Sequence, residues 1–329
     1  MMKKALGAIL FLAILMLFAC TALGEGSPGQ APLYTARSDT RFLIRQSPDE
    51  KSRKIKTVPD FRTVYVYEYG PEWCRISYEN TIGYCKTKWI HRFLSLDPFL
   101  APVPGAHLQA GIAKVTDPVF VRTKKYAGNT LASGNLLSVT IWEEGRAVIP
   151  LMRETADIPA GHLTFTPFVP WANAQPGDVI GGFTTYFHVK AGDTLGKNRQ
   201  FNIEFVCEKV SGAVVPPDGI FSFNALSGRT IRANGYKLAR NISLDGTGYG
   251  GGVCQVATTI FNAGLGLPLK IEEWSVHQDS GVAYVPRDFD AAVSDYSDFT
   301  FRNLLPYPIK ITTLPQNGVL TVIIARDLG

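Results

Sequence analysis

Apolar and polar positions alternate with a period of two along much of the chain, in short runs separated by turn-forming residues. Between Leu33 and Asp97 the runs are Phe42-Leu43-Ile44, Thr63-Val64-Tyr65-Val66-Tyr67, Arg75-Ile76-Ser77-Tyr78 and Gly83-Tyr84-Cys85. Such alternation predicts half-buried strands, and their close spacing predicts a small barrel. One hairpin is legible residue by residue. A two-residue turn at Glu79-Asn80 sets Tyr78 opposite Thr81, Arg75 opposite Tyr84 and Cys74 opposite Cys85. Directly opposed cysteines on antiparallel strands lie close enough for a disulfide, so a Cys74–Cys85 staple is expected.

The period changes further on. Ile203, Val206, Cys207 and Val210 share one face of a helix that Gly212 would end, with a strand through Phe201, Ile203 and Phe205 as the competing reading. Val253, Val256, Ala257, Ile260 and Ala263 mark a second helical face, and Leu269 to Val276 reads as a strand. Tyr307 to Thr313 and Val319 to Ala325 alternate about Asn317-Gly318, a strong hairpin signal. Between the two regular parts, Val115 to Arg122 and Leu136 to Trp142 are expected strands. They belong either to a second small barrel like the first or to an accessory layer of the following domain.

The start of the chain has a different pattern. Lys3 and Lys4 precede an uncharged apolar run from Ala5 to Ala19, too short to span a bilayer comfortably and placed as in a signal peptide. Residues 1–24 are therefore expected to direct export. Ala22-Leu23-Gly24 offers one cleavage site. Leu17-Phe18-Ala19-Cys20 offers another, resembling a lipoprotein box in which Cys20 would carry the lipid and be the only membrane link. Residues 25–32 read as a tether, 33–97 as the first domain, 98–106 as a linker, 107–180 as a β-rich accessory region and 181–329 as the last domain.

Charge narrows the partners. The net charge is +5, and +3 without Lys3 and Lys4. This suits an anionic wall polymer but lacks the clustered Lys and Arg that nucleic acid requires. No His-Glu-x-x-His, paired Cys-x-x-Cys, phosphate loop or Ser-x-x-Lys occurs, and His107 and His162 fit no ligand spacing. No metal or cofactor is expected.

Export sorts the cysteines, because disulfides form outside the cytoplasm. Cys207 reads as core packing, or as a partner for Cys254. Cys254 falls in the first turn of a helix, directly after Gly246-Thr247-Gly248-Tyr249-Gly250-Gly251-Gly252. A helix N-terminus stabilises a thiolate, and glycines admit a substrate backbone and leave N–H groups for an oxyanion. His277 follows the strand-like Leu269 to Val276, and Asp290, Asp295 and Asp298 come later. Cysteine acyl-transfer enzymes share this order, with Cys254 as nucleophile, His277 as base and Asp290 or Asp298 as orienting carboxylate. The alternative is a ligand cleft without catalysis, lined by Gly250, Gly251, Gly252 and Gln255.

Two resemblances add to this reading. Phe42-Leu43-Ile44-Arg45 with Ser47-Pro48, Val64-Tyr65-Val66, Trp73, Arg75-Ile76-Ser77-Tyr78 and Gly83-Tyr84-Cys85 resemble the bacterial SH3 (SH3b) family, which implies targeting to peptidoglycan or another envelope polymer. From Phe183-Thr184-Thr185-Tyr186 and Arg199, through Phe221-Ser222-Phe223-Asn224 and Gly250-Gly251-Gly252-Val253-Cys254-Gln255, to His277, Tyr284-Val285-Pro286, Asp290 and Asp298, the chain resembles the VanW family, named from a vancomycin-resistance gene cluster. It departs at Gln278 and at Arg287-Asp288-Phe289, which stands where a glycine-containing turn is expected. The resemblance implies an envelope role, in wall maintenance or glycopeptide response, without a settled reaction. The expected fold is α+β: an SH3-like β-barrel, then a mixed domain with a Cys-bearing helix packed on an antiparallel sheet.

Overall fold

The computed structural model describes residues 30–126, 128–187, 192–241, 246–277 and 281–329. The export segment, Cys20, most of the tether and Gln278 lie outside the described residues.

The first module contains strands β1 (Tyr34–Ser38), β2 (Phe42–Arg45), β3 (Lys54–Val58), β4 (Thr63–Glu68), β5 (Trp73–Tyr78), β6 (Thr81–Lys86) and β7 (Ile90–Ser95). They form one antiparallel sheet in the order β3-β2-β6-β5-β4-β1-β7. Alternate side chains (Ile44, Val64, Val66, Cys74, Ile76 and Cys85) are fully buried in a common core. The expected barrel does not close. β3 and β7 are free edges, and residues of β7 meet the C-terminal part of the chain instead.

The β5–β6 register is the one that the turn dictates, with Cys74 opposite Cys85. Glu79 and Asn80 take φ of 44° and 64°, the paired left-handed residues of a type I′ turn. The expected disulfide is absent, and both cysteines are buried free thiols. Parity explains this. Tyr78 and Thr81 close the turn as a hydrogen-bonded pair, and every second pair outward repeats that type. Cys74–Cys85 is therefore a hydrogen-bonded pair, in which side chains stand further apart. The Cys74 thiol lies 3.3 Å from Thr87 Oγ1 instead.

The middle region contains β8 (Gly111–Val115), β9 (Val119–Val121), β10 (Asn129–Leu131), β11 (Leu136–Val139), β12 (Ile141–Glu143), β13 (Arg146–Leu151), β14 (Glu154–Pro159) and β15 (Leu163–Pro167). Each of the two long strands expected here is divided. Pro118, with no N–H to donate, separates β8 from β9. At Thr140 the chain leaves β8 as partner and takes up β13. The region packs as a layer on the next sheet. Tyr186 and Val319 join its core, and the Ser138 N–H donates to Thr184 Oγ1 at 2.8 Å.

The last part contains β16 (Val179–Tyr186), α1 (Thr194–Val210), β17 (Val214–Val215), β18 (Ile220–Ser222), α2 (Phe223–Ser227), β19 (Leu238–Arg240), β20 (Thr247–Tyr249), α3 (Val253–Gly264), β21 (Leu269–Glu273), β22 (Thr300–Asn303), β23 (Ile309–Gln316) and β24 (Val319–Arg326). The main sheet runs β16-β24-β23-β17 and a smaller one β18-β22-β21, all antiparallel. The helical reading of 199–210 holds. Asp193 caps α1 by accepting from the Gly196 N–H at 3.0 Å, and Ile203, Val206, Cys207 and Val210 are buried. α3 packs on β16 and β24 through Val256, Ala257, Ile260 and Ala263. Gly181 permits that approach, since a Cβ there would sit 2.7 Å from the Ala263 carbonyl oxygen. The architecture is mixed α+β, with three α-helices among the described residues.

Candidate active site

α3 supplies more than the cysteine. Its apolar face is buried on the sheet, yet Gln255, Thr258, Thr259 and Asn262 are buried as well. Buried polar groups must find partners, and Thr258 and Asn262 find theirs on the segment that carries Asp290. Thr258 Oγ1 accepts from the Ala291 N–H at 2.9 Å and lies 3.3 Å from the Ala291 carbonyl oxygen. Asn262 Nδ2 donates to the Phe289 carbonyl at 2.7 Å. The same segment is bound to the chain leaving β21, because the Ala292 N–H donates to Ser275 O at 2.8 Å and Trp274 Nε1 to Asp290 O at 2.9 Å. His277 lies at the end of this second segment. Asp288, in the turn just before, has φ of 70°, the left-handed region that glycine favours and aspartate tolerates. The substitution of the expected glycine-containing turn thus keeps such a backbone.

The result is a line of three groups. Asp290 is 1 % exposed, and its Oδ2 receives both the His277 N–H at 2.7 Å and Nδ1 at 2.6 Å. Nδ1 so engaged, Nε2 is the nitrogen left for the thiol, and Cys254 stands within hydrogen-bonding reach of the ring. The Cys254 sulfur also lies 3.4 Å from the Val293 carbonyl oxygen. Burial pulls the His277 imidazolium down, but the hydrogen bonds with Asp290 and Cys254 and the charges of both outweigh it and raise the ring to about 9. The ring is therefore an imidazolium at neutral pH, held beside a thiol at an α3 N-terminus that no side chain caps.

The other expected site residues have different places. Asp298 is not near His277 in bonding terms. Its carboxylate accepts from Ser222 Oγ at 2.6 Å and the Asn224 N–H at 2.8 Å, which fixes the start of α2. Asp295 pairs with Arg229 at 2.7 Å. Cys207 is a buried free thiol, pushed up to about 12 by burial, and is not bridged to Cys254. Gly250, Gly251 and Gly252 line a cleft of about 810 Å³ that also contains Cys254, Gln255, His277 and Tyr284. Gly252, at φ of 107°, is further required by packing, because a Cβ there would sit 2.9 Å from Ile203 Cγ1. Gln255 is 1 % exposed and donates to Thr185 Oγ1 at 3.0 Å and the Tyr186 carbonyl at 3.1 Å. It braces the cleft floor from beneath.

Sequence reasoning named two further members of the cleft only among the residues that carry the VanW resemblance, without a role. Arg199 Nη2 donates to Gln255 Oε1 at 2.7 Å, and Tyr284 interacts electrostatically with both Cys254 and Arg199. The signal for Arg199 was its position: it precedes Ile203 by four residues and so continues the buried stripe of α1 with a charge. Among the described residues no group of His, Cys, Asp and Glu could hold a metal.

Cys254, the His277 ring and the buried Asp290 carboxylate thus come together at one cleft. Comparison with known proteins agrees with the modular reading. Residues 198–325 match the family described as VanW like protein, and residues 44–91 match the bacterial SH3 domain. The chain therefore carries a VanW-like domain preceded by a bacterial SH3 module. It is 36 % identical over 146 residues to "Uncharacterized protein YoaR" of Bacillus subtilis (strain 168), an alignment covering 44 % of this chain and 46 % of that protein. The chain thus spans under half the length of this curated relative. Cys254, His277, Asp290 and Arg199 all lie inside the VanW-like match.

Proposed function

We propose that the protein is exported and works at the cell wall, where Cys254 breaks or exchanges an amide bond of a wall peptide. The pairing of a VanW-like domain with a bacterial SH3 module supports the location, and the Cys254–His277–Asp290 line supports the chemistry. The SH3 module is the contact for peptidoglycan in this reading, and the cleft is the reaction chamber.

In the reactive form the Cys254 proton rests on His277 as the imidazolium; the Cys254 thiolate attacks the amide carbonyl, and the carbonyl π pair moves to the oxygen. In this reading the oxyanion forms at the positive end of the α3 dipole. His277 gives its proton to the leaving amine as the C–N bond breaks, which leaves a thioester on Cys254 and a neutral imidazole. The imidazole then takes a proton from water or from an acceptor amine as it attacks the thioester. Water gives hydrolysis and an amine gives exchange. Asp290 keeps Nδ1–H donated and Nε2 directed to the reaction through both steps.

The observation that carries the proposal is the double engagement of Asp290 Oδ2 with His277, which fixes the ring beside the thiol. Cys254→Ala and Cys254→Ser chains incubated with purified muropeptides test it. New peptide products with the natural chain, and none with either variant, are expected by mass analysis. Identical product profiles for all three, together with retention on purified wall, would replace catalysis with a binding role.

A further inference from the structure

We propose that Arg199 is the carboxylate-recognising residue of the cleft, so that the acyl donor is a peptide with a free carboxylate adjoining the bond that is broken. This rests on Cys254 being the nucleophile.

Arg199 is a half-buried cation held by a neutral partner. Its stem runs beside Gly252, where a Cβ would come within 3.1 Å of Arg199 Cγ. Its Nη2 donates to Gln255 Oε1 at 2.7 Å, and Gln255 is in turn fixed from below by Thr185 and Tyr186. Gly252 lies two residues before Cys254 and Gln255 one after it, so both contacts hold Arg199 at the start of α3, where it lines the same cleft as Cys254. Another cation at the cleft is neutralised, Arg240 by Asp193 at 2.6 Å. Among the described residues no carboxylate faces Arg199. Burial pulls its pKa down, and only Tyr284 and Cys254 oppose that pull.

A partly desolvated cation with no counter-ion is costly to keep. The cost is recovered when a ligand brings the missing charge. Guanidinium carries five donors in a planar fork, of which Gln255 engages one nitrogen, and the fork matches a carboxylate in shape. A structural role limited to satisfying Gln255 Oε1 would use only one of the guanidinium's five donors. A role limited to the thiolate would duplicate His277.

Two measurements on the full chain separate this from the acyl-transfer reading. The first compares alkylation of Cys254 by iodoacetate and by iodoacetamide. The iodoacetate:iodoacetamide rate ratio is expected to fall roughly tenfold or more in Arg199→Gln and to be largely kept in Arg199→Lys. An unchanged iodoacetamide rate reports that the thiol and fold are intact in each variant. The second compares a wall-stem peptide carrying a free C-terminal carboxylate with its C-terminal amide. The natural chain is expected to favour the acid roughly ten- to hundredfold in kcat/KM, and Arg199→Gln to lose that preference. An alkylation ratio equal in the natural chain and Arg199→Gln, or acid and amide turned over alike by the natural chain, overturns the assignment while Cys254 stays a nucleophile. Anion-selective alkylation without turnover of either peptide supports Arg199 and rejects acyl transfer.

Discussion

In the proposed reaction, the protonation of His277 ties activity and stability to one side chain. Its folded value of about 9 lies above the ordinary imidazole range, so the imidazolium form is favoured by folding. That contribution is complete below about pH 6.5 and disappears as pH rises through 9, and its size is roughly 1–3 kcal/mol. Asp290→Asn removes the carboxylate that sustains it. In this variant the loss of thermal stability between pH 6.5 and 9 should flatten, read as melting temperature against pH. The alkaline limb of the rate profile should move toward the ordinary histidine range, and kcat should fall roughly 10²- to 10⁴-fold. An alkaline limb that stays in place would assign it to another group.

At the scale of elements, α3 does two jobs with two faces. The apolar face holds the helix on β16 and β24, and Ile260→Ala is expected to cost about 2–5 kcal/mol in denaturant unfolding. The polar side chains fix the Asp290 segment. Thr258→Val keeps the shape but leaves the Ala291 N–H and carbonyl without their partner. A cost of about 1–3 kcal/mol is expected, with a fall in kcat that exceeds any fall in Cys254 alkylation by iodoacetamide. A variant with equal losses in both would show that the strap serves folding alone. Much of this element was legible in the sequence. The stripe through Val253 and Ala263 gave the helix, and the glycine run gave its start. The polar contacts were not legible, because Thr258 and Asn262 pair with residues about thirty positions away, and no local pattern encodes such partners.

At the scale of the molecule, the SH3 module and the VanW-like domain belong to one compact unit, Pro32–Gly329. The segment read as a linker is tied down: Ala101 is buried in the SH3 core and the Tyr34 hydroxyl donates to the Pro102 carbonyl at 3.1 Å. His91 Nδ1 lies 3.4 Å and Arg92 Nε 3.7 Å from the carboxylate of Asp288, two residues before Asp290. Burial raises Asp288, but the His91 hydrogen bond and the charges of His91, Arg287 and Arg92 hold it below the usual carboxylate range. Its contribution is present above about pH 4 and lost as pH falls below that. Asp288→Ala should therefore speed proteolysis within residues 98–106 at neutral pH, and acidification should narrow the difference between variant and natural chain. Equal cleavage rates at neutral pH would show that the contact does not hold the modules together.

The sequence by itself determined whatever depends on neighbours a few positions apart. Glu79-Asn80 and Asn317-Gly318 set two hairpins and their registers, because a two-residue turn leaves only one pairing. Periodicity marked α3 and most strands but left 199–210 open between helix and strand, and alternation with turn residues outlined a small β module between Leu33 and Asp97. Only the tertiary structure decided which distant groups meet. It chose Asp290 over Asp298 as the partner of His277, since Asp298 is consumed in capping α2. It left Cys74 and Cys85 as thiols in a correctly predicted register, because register fixes which residues face each other and not how far apart their side chains stand. It also brought Arg199 to Cys254, across a sequence separation that no periodicity bridges, through the packing of one helix against the start of another.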